Sequence, residues 1–537
     1  MDSDTHEDET ASDPERSERY RFGAGTTIDV AVSVGLLIAA YLVRRTALPT
    51  DGLLFDDSWV VVGASKGGFG QLLDVSTNHP GFTAALMVWA RTVSRRSELF
   101  AWIPFVFGVV APAVFYLVGA LRLRISRPVA AAAAIVFVIA PEHAIYSSRV
   151  KPYVIGTLLT VVLAAAVPWL AKKRWGIGVA CAWVGFALLA GSVEALSLVV
   201  TAVAILVMVA HPAGDRLLRV GALLVQGLLQ AVLLVTVQGR FASATVAKEW
   251  ETTYDGYLEP GEGVMSLLRQ IGAHVARLGQ NVAPGSKLSG VAVVAVALAG
   301  LCWRARRGDQ RIAARFLLAL FVVSFVGGLV RQIPFGPRVG NPAFPGGRAN
   351  LWMLPVLFFG LAWAVDAVRL LLARVQPRLL LPFTAAVLAG ALAVGAVHFD
   401  DSRTYPLPGE AWAARKVLAA MDDSTMVIVF PAGQMTVSAE PGIPVRPVAD
   451  RKSHQGFMLR WTDPRWNNSD VWGRPRRFEK KLNSADRVII HDGLPGFGDG
   501  SLADVRTRLR REGFRKTDSA LHGIVLVEVW DRENPHP

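Results

Sequence analysis

Long apolar runs separated by short polar stretches organise roughly the first three quarters of the chain. Most runs are about 18 to 22 residues long, the length that an α-helix needs to cross a bilayer. The pattern predicts a mainly α, polytopic membrane protein with about 11 transmembrane helices. The predicted spans are 27–43, 99–121, 128–145, one that ends at 172, 176–190, 193–210, 217–237, 288–303, 312–330, 351–368 and 379–397.

Basic residues cluster between these runs and predict the orientation of the chain. The clusters at 122–127, 172–174, 215–219, 304–315 and 369–378 all fall on one side of the predicted membrane, as the positive-inside rule requires. We therefore attribute the net charge of +13 to topology and predict no nucleic-acid partner. The predicted location is the cell membrane, with the N-terminus cytoplasmic.

Residues 80–93 are apolar but too short to span, and are predicted to be an interfacial helix.

The remaining composition agrees with a membrane protein. The chain is 52% hydrophobic and 18% charged, whereas soluble domains carry roughly 25% charged residues. Cys181 and Cys302 fall inside predicted spans and have no CxxC partner, so neither a disulfide nor a cysteine metal site is predicted. The first apolar run lacks a basic leader and a small-residue cleavage site, which indicates a retained helix.

Three regions follow from these patterns. Residues 1–26 are predicted to be a disordered acidic cytoplasmic tail, and 27–397 to be the transmembrane domain. Its predicted outer loops are 47–98, 146–152, 238–286 and 331–350. Residues 398–537 are predicted to be a soluble extracytoplasmic α/β domain, because buried strands alternate there with amphipathic helices. The strands are Thr425–Phe430, Arg487–His491 and Ile524–Val529, and the helices are Glu410–Met421 and Ala503–Arg511.

Polar residues in the predicted outer loops are the candidates for chemistry. Asp56 and Asp57 follow the first span, where charge close to hydrocarbon is costly unless it has a purpose. A solvated turn, a helix N-cap and a catalytic site are the alternatives for this pair. The other candidates in these loops are His79, Arg149, Lys151, Arg338 and Arg348, and two more are Tyr153, directly after the second loop, and Glu194, at the break between the fifth and sixth spans.

In their order along the chain, these features resemble the GT-C superfamily of glycosyltransferases that use lipid-linked sugars. The likeness is closest to protein mannosyltransferases, aminoarabinose transferases and actinobacterial cell-wall arabinosyltransferases. It is best over residues 50–170, weaker over 330–360 and absent from the C-terminal domain. Asp56 matches the family's catalytic carboxylate, and Asp57 replaces the usual Glu beside it. His79-Pro80 matches the family's His-Pro, although Gly81 replaces its second Pro.

Residues 146–153 and Arg348 also resemble motifs of the family. Tyr146-Ser147 and Tyr153 match its next motif, but Lys151 stands where the family has Arg, with Arg149 two residues earlier. Lysine neutralises a phosphate without binding it bidentately. Arg348 resembles the late-loop Arg of the family.

The resemblance implies an inverting glycosyltransferase that moves a sugar from a polyprenyl-phosphate donor to a cell-envelope glycan, lipid or protein. Such transfer needs a carboxylate base near the acceptor hydroxyl and cations for the departing phosphate. The implied catalytic residues are Asp56 and Asp57, the donor-phosphate ligands are Lys151, Arg149, Arg348 and Arg338, and the acceptor or metal ligands are His79, Tyr153 and Glu194. A divalent cation is left open.

Two other classes of function compete with this interpretation. A transporter or lipid flippase is expected to carry ionisable residues inside its spans and internally repeated, broken helices. Here the charged residues crowd the outer loops instead. A non-catalytic envelope scaffold is the third class, favoured by Lys151 at the position where the family has Arg.

Overall fold

The computed structural model describes most of the chain, in which helices predominate and a sheet lies near the C-terminus. The described residues are 14–76, 79–212, 215–236, 251, 255–259, 263–282, 285–306, 308–337, 346–398, 409–450, 457–468, 475–493 and 500–534. Arg338, and much of the outer loops predicted at 238–286 and 331–350, lie outside them.

The helices of the first part are α1 Pro14–Arg45, α2 Phe55–Lys66, α3 Leu72–Val75, α4 Pro80–Thr92, α5 Trp102–Leu117, α6 Arg127–Ile139, α7 Pro141–Ser147, α8 Tyr153–Lys172, α9 Ile177–Val193, α10 Ser197–Ala210, α11 Arg216–Thr236, α12 Val264–Gln280, α13 Lys287–Arg306, α14 Arg311–Leu329, α15 Leu354–Val375 and α16 Leu380–His398.

Eight helical segments in the described part of the chain are long and apolar enough to cross a membrane, so this is a multi-pass membrane protein. They are Gly25–Arg45, Ser97–Arg122, Tyr153–Lys172, Arg216–Thr236, Lys287–Arg306, Arg311–Leu329, Gly347–Val375 and Pro377–Val394. Each corresponds to one of the predicted spans. The predicted number of about 11 is not confirmed in the residues that the structure describes, and the difference lies in three places.

The three differences have simple physical origins. The predicted third span is broken, because α6 and α7 meet at an angle of 61°. Pro141 begins α7 and lacks the N–H that a continuous helix would use at that point. If this bent pair crosses as one span, the number becomes nine. The predicted fifth and sixth spans are α9, of 17 residues, and α10, of 14 residues, which are shorter than the ~20 residues of a typical span.

The N-terminal region also differs from its prediction over part of its length. Helix α1 begins at Pro14, so residues 14–26 belong to the helix that contains the first span, Gly25–Arg45, and do not form a disordered tail. Extending an existing helix gains one hydrogen bond per residue and avoids the cost of nucleation. Residues 1–13 lie outside the described part of the chain.

Two amphipathic stretches outside the spans form helices, and the first of them is the helix predicted at 80–93. Helix α4 begins with Pro80, a residue favoured in a first helical turn, and packs against α2 and α9. Helix α12 packs Leu267 and Ile271 against the core of the spans, whereas Val264 and Met265 are largely exposed.

The C-terminal region contains a five-stranded sheet in the order β4-β1-β5-β7-β6. Strands β4, β1 and β5 are parallel, and β7 runs antiparallel to both β5 and β6. A separate antiparallel pair consists of β2 and β3. The strands are β1 Thr425–Val429, β2 Val445–Ala449, β3 Phe457–Trp461, β4 Trp466–Asn468, β5 Arg487–Asp492, β6 Phe514–His522 and β7 Val525–Arg532, and the helices are α17 Glu410–Ala420, α18 Pro431–Ser438, α19 Pro475–Asn483 and α20 Gly500–Arg511.

The three predicted strands and two predicted helices are confirmed as β1, β5, β7, α17 and α20. The sequence did not indicate β6, because this strand is mostly polar and exposed, which is common at the edge of a sheet.

The C-terminal domain packs against the outer-loop helix that begins at Phe55. Helix α18 and strand β2 both contact α2. Asp51, just before α2, accepts a hydrogen bond from the backbone N–H of Trp412 at 2.9 Å and pairs with His522 Nε2 at 2.9 Å. Lys66, at the end of α2, donates to the carbonyls of Glu440 and Ile443, both at 3.1 Å. The domain therefore lies at the same end of the spans as Asp56.

Candidate active site

Asp56 and Asp57 lie in the first turn of α2, where backbone N–H groups favour nearby carboxylates. Leu54 occupies the N-cap position and makes no side-chain capping bond, so neither aspartate is the N-cap residue. The break at Pro141 turns α7 away from α6, and the segment after α7 then lies beside α2. This is how Arg149 and Lys151, more than 90 residues further along the chain, reach the two carboxylates.

Asp57 and Arg149 form the buried half of the site. Neither side chain has exposed surface, and Arg149 Nε donates to Asp57 Oδ2 at 2.5 Å. The guanidinium of Arg149 also lies 5.8 Å from the centre of the Tyr146 ring. Since a buried cation needs a paired charge, Asp57 serves to hold Arg149 in place.

Asp56 forms the accessible half of the site, with about 34% of its side chain exposed. Lys151 Nζ lies 3.0 Å from Oδ1, and Arg149 Nη2 lies 3.9 Å from Oδ2. Burial would by itself raise the pKa of Asp56, but the positive charges of Lys151, Arg348 and Arg149 outweigh it and hold the pKa well below its usual range. Asp56 is therefore an anion surrounded by cations.

Arg348 reaches the site from a distant part of the chain. It belongs to the 3₁₀ segment Gly346–Met353, which packs against α7 and α8. Its charge acts on the Asp56 carboxylate and also on Glu142 of α7. Arg348 is partly exposed as a residue, although its Nη1 atom is buried.

Glu142 is a site residue that the sequence reasoning missed. Its carboxylate accepts a hydrogen bond from the backbone of Gly347 and lies 3.3 Å from Arg277 Nη2 of α12. It thereby connects α7, α12 and the segment that carries Arg348. The available signal was an acidic residue directly after Pro141 inside a predicted span, because ionisable residues within spans are usually functional.

His79 and Tyr153 line one side of the cluster. His79 is buried, its Nδ1 accepts a hydrogen bond from the N–H of Ala195 at 3.3 Å, and its ring meets Tyr153 edge-on at 6.4 Å. Burial and the nearby charge of Lys151 lower the pKa of His79 to about 3. The imidazole is therefore neutral at physiological pH. Tyr153 in turn meets the ring of Tyr146 at 5.3 Å.

Glu194 was predicted to bind the acceptor or a metal, but the hydrogen bonds of its carboxylate are made to residues close to it in the sequence. Its carboxylate accepts hydrogen bonds from the N–H of Leu196 at 3.0 Å and the hydroxyl of Ser197 at 2.9 Å, at the beginning of α10. Burial raises the pKa of Glu194 to about 7. These bonds direct the carboxylate to α10 instead of to Asp56, and this geometry gives no support to a metal or acceptor role.

The structure thus brings Asp56, Asp57, Arg149 and Lys151 together, with Arg348 close by. In the described part of the chain, no three His, Cys, Asp or Glu side chains form a group that could hold a metal ion. Comparison of the chain with protein-family models and with curated proteins finds no match. Fold and site together define a multi-pass membrane protein with a carboxylate and a group of cations at one end of its spans.

Proposed function

We propose that this protein is an inverting membrane glycosyltransferase that moves a sugar from a polyprenyl-phosphate donor to a hydroxyl of a cell-envelope glycan, lipid or protein. One observation carries the proposal: the partly exposed carboxylate of Asp56 is bordered by Lys151, Arg149 and Arg348. Transfer from a lipid phosphate requires both a base for the acceptor hydroxyl and positive charge for the departing phosphate.

The two carboxylates have different tasks in this proposal. Asp57 is fully buried against Arg149 and positions it. Asp56 is accessible and acts as the base. Lys151 and Arg348 hold the donor phosphate, because Arg149 is completely buried whereas Arg348 is partly exposed. Arg348 supplies the bidentate geometry that Lys151 lacks.

Donor binding would switch on the base. Without a phosphate, the cations around Asp56 lower its pKa and make it a weak base. A donor phosphate would attract Lys151 and Arg348 and add negative charge beside Asp56, so the pKa of Asp56 would rise towards its normal range. The acceptor hydroxyl is then deprotonated only when a donor is present, which disfavours unproductive reactions.

The proposed transfer is a single displacement. The acceptor oxygen attacks the anomeric carbon on the face opposite the phosphate, and its proton passes to Asp56. The bond between the anomeric carbon and the phosphate oxygen breaks, and its electron pair leaves with the polyprenyl phosphate. Lys151 and Arg348 stabilise the charge that develops on this phosphate. One displacement inverts the configuration at the anomeric carbon.

The proposed orientation places this site on the outer face of the cell membrane. The basic clusters at 172–174 and 374–378 lie at the opposite ends of helices that begin near the site, which supports a cytoplasmic location for those clusters. The N-terminus is then cytoplasmic. The C-terminal domain, which packs on α2, is then extracytoplasmic together with the acceptor.

Sugar transfer in purified membranes tests the proposal. Wild type and Asp56→Asn are supplied with labelled polyprenyl-phosphate pentose or hexose, and Asp309→Asn is the control because Asp309 is an exposed carboxylate paired with Arg124. We expect Asp56→Asn to lose about a hundredfold to ten-thousandfold in rate while protein level and donor binding persist. If Asp56→Asn transferred sugar at the wild-type rate, another group would be the base. No transfer by wild type from either donor would favour a transporter or a scaffold.

A further inference from the structure

A second candidate site lies at the end of the spans opposite Asp56. There the ends of α8 and α10 and the start of α11 surround a cavity of about 490 Å³, a size typical of small-molecule sites. Helix α8 begins at Tyr153 in the candidate active site and extends for 20 residues to Lys172, a length of about 30 Å. The lining residues are Ala171, Lys172, Lys173, Arg174, His211, Pro212, Asp215 and Arg219.

The lining of this cavity is strongly positive. It contains four cationic side chains and one carboxylate, that of Asp215. Asp215 is already engaged, because it accepts a hydrogen bond from the backbone N–H of Trp175 and pairs with Arg219 at 3.2 Å. The charges of Arg311 and Arg315 also reach the cavity, since both act on His211.

The side chain of Arg219 forms part of the cavity wall and is held in place by its hydrogen bonds. Its side chain is fully buried, and its guanidinium donates to the carbonyls of Met208 and Lys173, both at 2.9 Å. It also lies 5.6 Å from the ring centre of Trp175. The Nε of Arg219 has no hydrogen-bond partner among the residues that the structure describes, which is a costly state for a buried donor.

We infer that this cavity binds a phosphate group of the kind that an anionic phospholipid headgroup presents. Basic pockets between helices at a membrane surface bind acidic headgroups, and this cavity lies where α8 ends and α11 begins, two helices long and apolar enough to cross a membrane. The negatively charged oxygens of a phosphate can accept hydrogen bonds from Lys172, Lys173 and Arg174, whose positive charges outnumber the single carboxylate of the lining. A basic cluster that serves topology alone requires neither a cavity nor a buried arginine. The site is separate from the proposed donor site, because the two lie at opposite ends of α8.

Lipid binding to the purified full-length protein tests the inference. Native mass spectrometry would follow titration with dioctanoyl phosphatidylglycerol, with dioctanoyl phosphatidylcholine for a headgroup without net charge and glycerol 3-phosphate for a soluble phosphate. The test variant is K172Q/R174Q, which changes two exposed side chains of the lining. The control is R374Q/R378Q, which removes two exposed charges at the same end of the spans but away from the cavity.

We expect phosphatidylglycerol to bind more tightly than phosphatidylcholine, and K172Q/R174Q to weaken its binding about twenty-five-fold, because each nearby cation contributes about fivefold. The control variant should bind like wild type. Competition by glycerol 3-phosphate at concentrations similar to phosphatidylglycerol would support the phosphate site and identify a soluble source. Equal binding of both lipids, or an equal loss in the control variant, would overturn the inference.

Discussion

Replacement of Asp57 by Asn tests whether the buried ion pair on α2 holds the candidate active site together. The change preserves the shape of the side chain and removes its charge. Arg149 would then be a fully buried cation without its partner at 2.5 Å. The nearest remaining carboxylate is that of Asp56, which lies 3.9 Å from Arg149 Nη2 in the wild-type structure. We therefore expect Arg149 to turn towards Asp56.

The expected cost follows from the burial of the pair. Removing one partner of a buried ion pair destabilises a protein by about 3–5 kcal/mol. The lower end, about 3 kcal/mol, applies here because Asp56 can partly replace Asp57. The ion pair of Arg124 and Asp309 has a similar distance of 2.9 Å, but about two thirds of each side chain is exposed. Asp309→Asn should therefore cost no more than about 1 kcal/mol.

The free energies of unfolding of wild type, Asp57→Asn and Asp309→Asn would be compared by titration with a denaturing detergent. A double variant, Asp57→Asn with Arg149→Met, should recover much of the loss, because no buried charge then remains unpaired. The reasoning is refuted if Asp57→Asn is no less stable than Asp309→Asn. It is also refuted if adding Arg149→Met to Asp57→Asn lowers the free energy of unfolding further instead of restoring it.

Two further predictions concern the surroundings of the site. In Gly347→Ala the new Cβ would overlap the Glu142 carboxylate, so either this carboxylate or the segment carrying Arg348 must move, and transfer should fall by about a hundredfold. Gly390→Ala, which meets nothing within 4 Å, is the control, and equal transfer rates of the two variants would contradict this prediction. Burial raises the pKa of Glu440 from 4.5 to about 7, so the folded state binds this proton more tightly and stability should fall by roughly 3 kcal/mol as the pH rises from about 4.5 through about 7. Glu440→Gln should show less of this fall between pH 5 and pH 8 in thermal unfolding, and an unchanged pH dependence would count against the assignment.

The spans were largely predictable because one physical quantity determines them. A bilayer of nearly constant thickness requires about 20 apolar residues per helix, and α1, α8 and α14 satisfy this requirement by composition alone. Strands β1 and β5 were predictable for a similar reason, since both are almost completely buried and each contains a short apolar run. The acidic pair was also identifiable, because charge close to hydrocarbon stands out against its surroundings.

The break between α6 and α7 was not predictable from hydropathy. Apolar residues continue on both sides of Pro141, and proline is tolerated inside membrane helices where neighbours satisfy the freed backbone groups. Only the packing of the other helices determines whether such a span bends. The same bend brings α7 and the segment that follows it to α2, and it places Glu142 against Gly347.

The sequence alone determined which residue types were available for chemistry and that they lie near the ends of the spans. It left open which cation pairs with which carboxylate, because Arg149 and Lys151 are only two positions apart. The tertiary structure decided this question by burial. Arg149 is enclosed with Asp57, whereas Lys151 extends to the more exposed Asp56. Burial and partner distance depend on segments far apart in the chain, so no local pattern could have specified them.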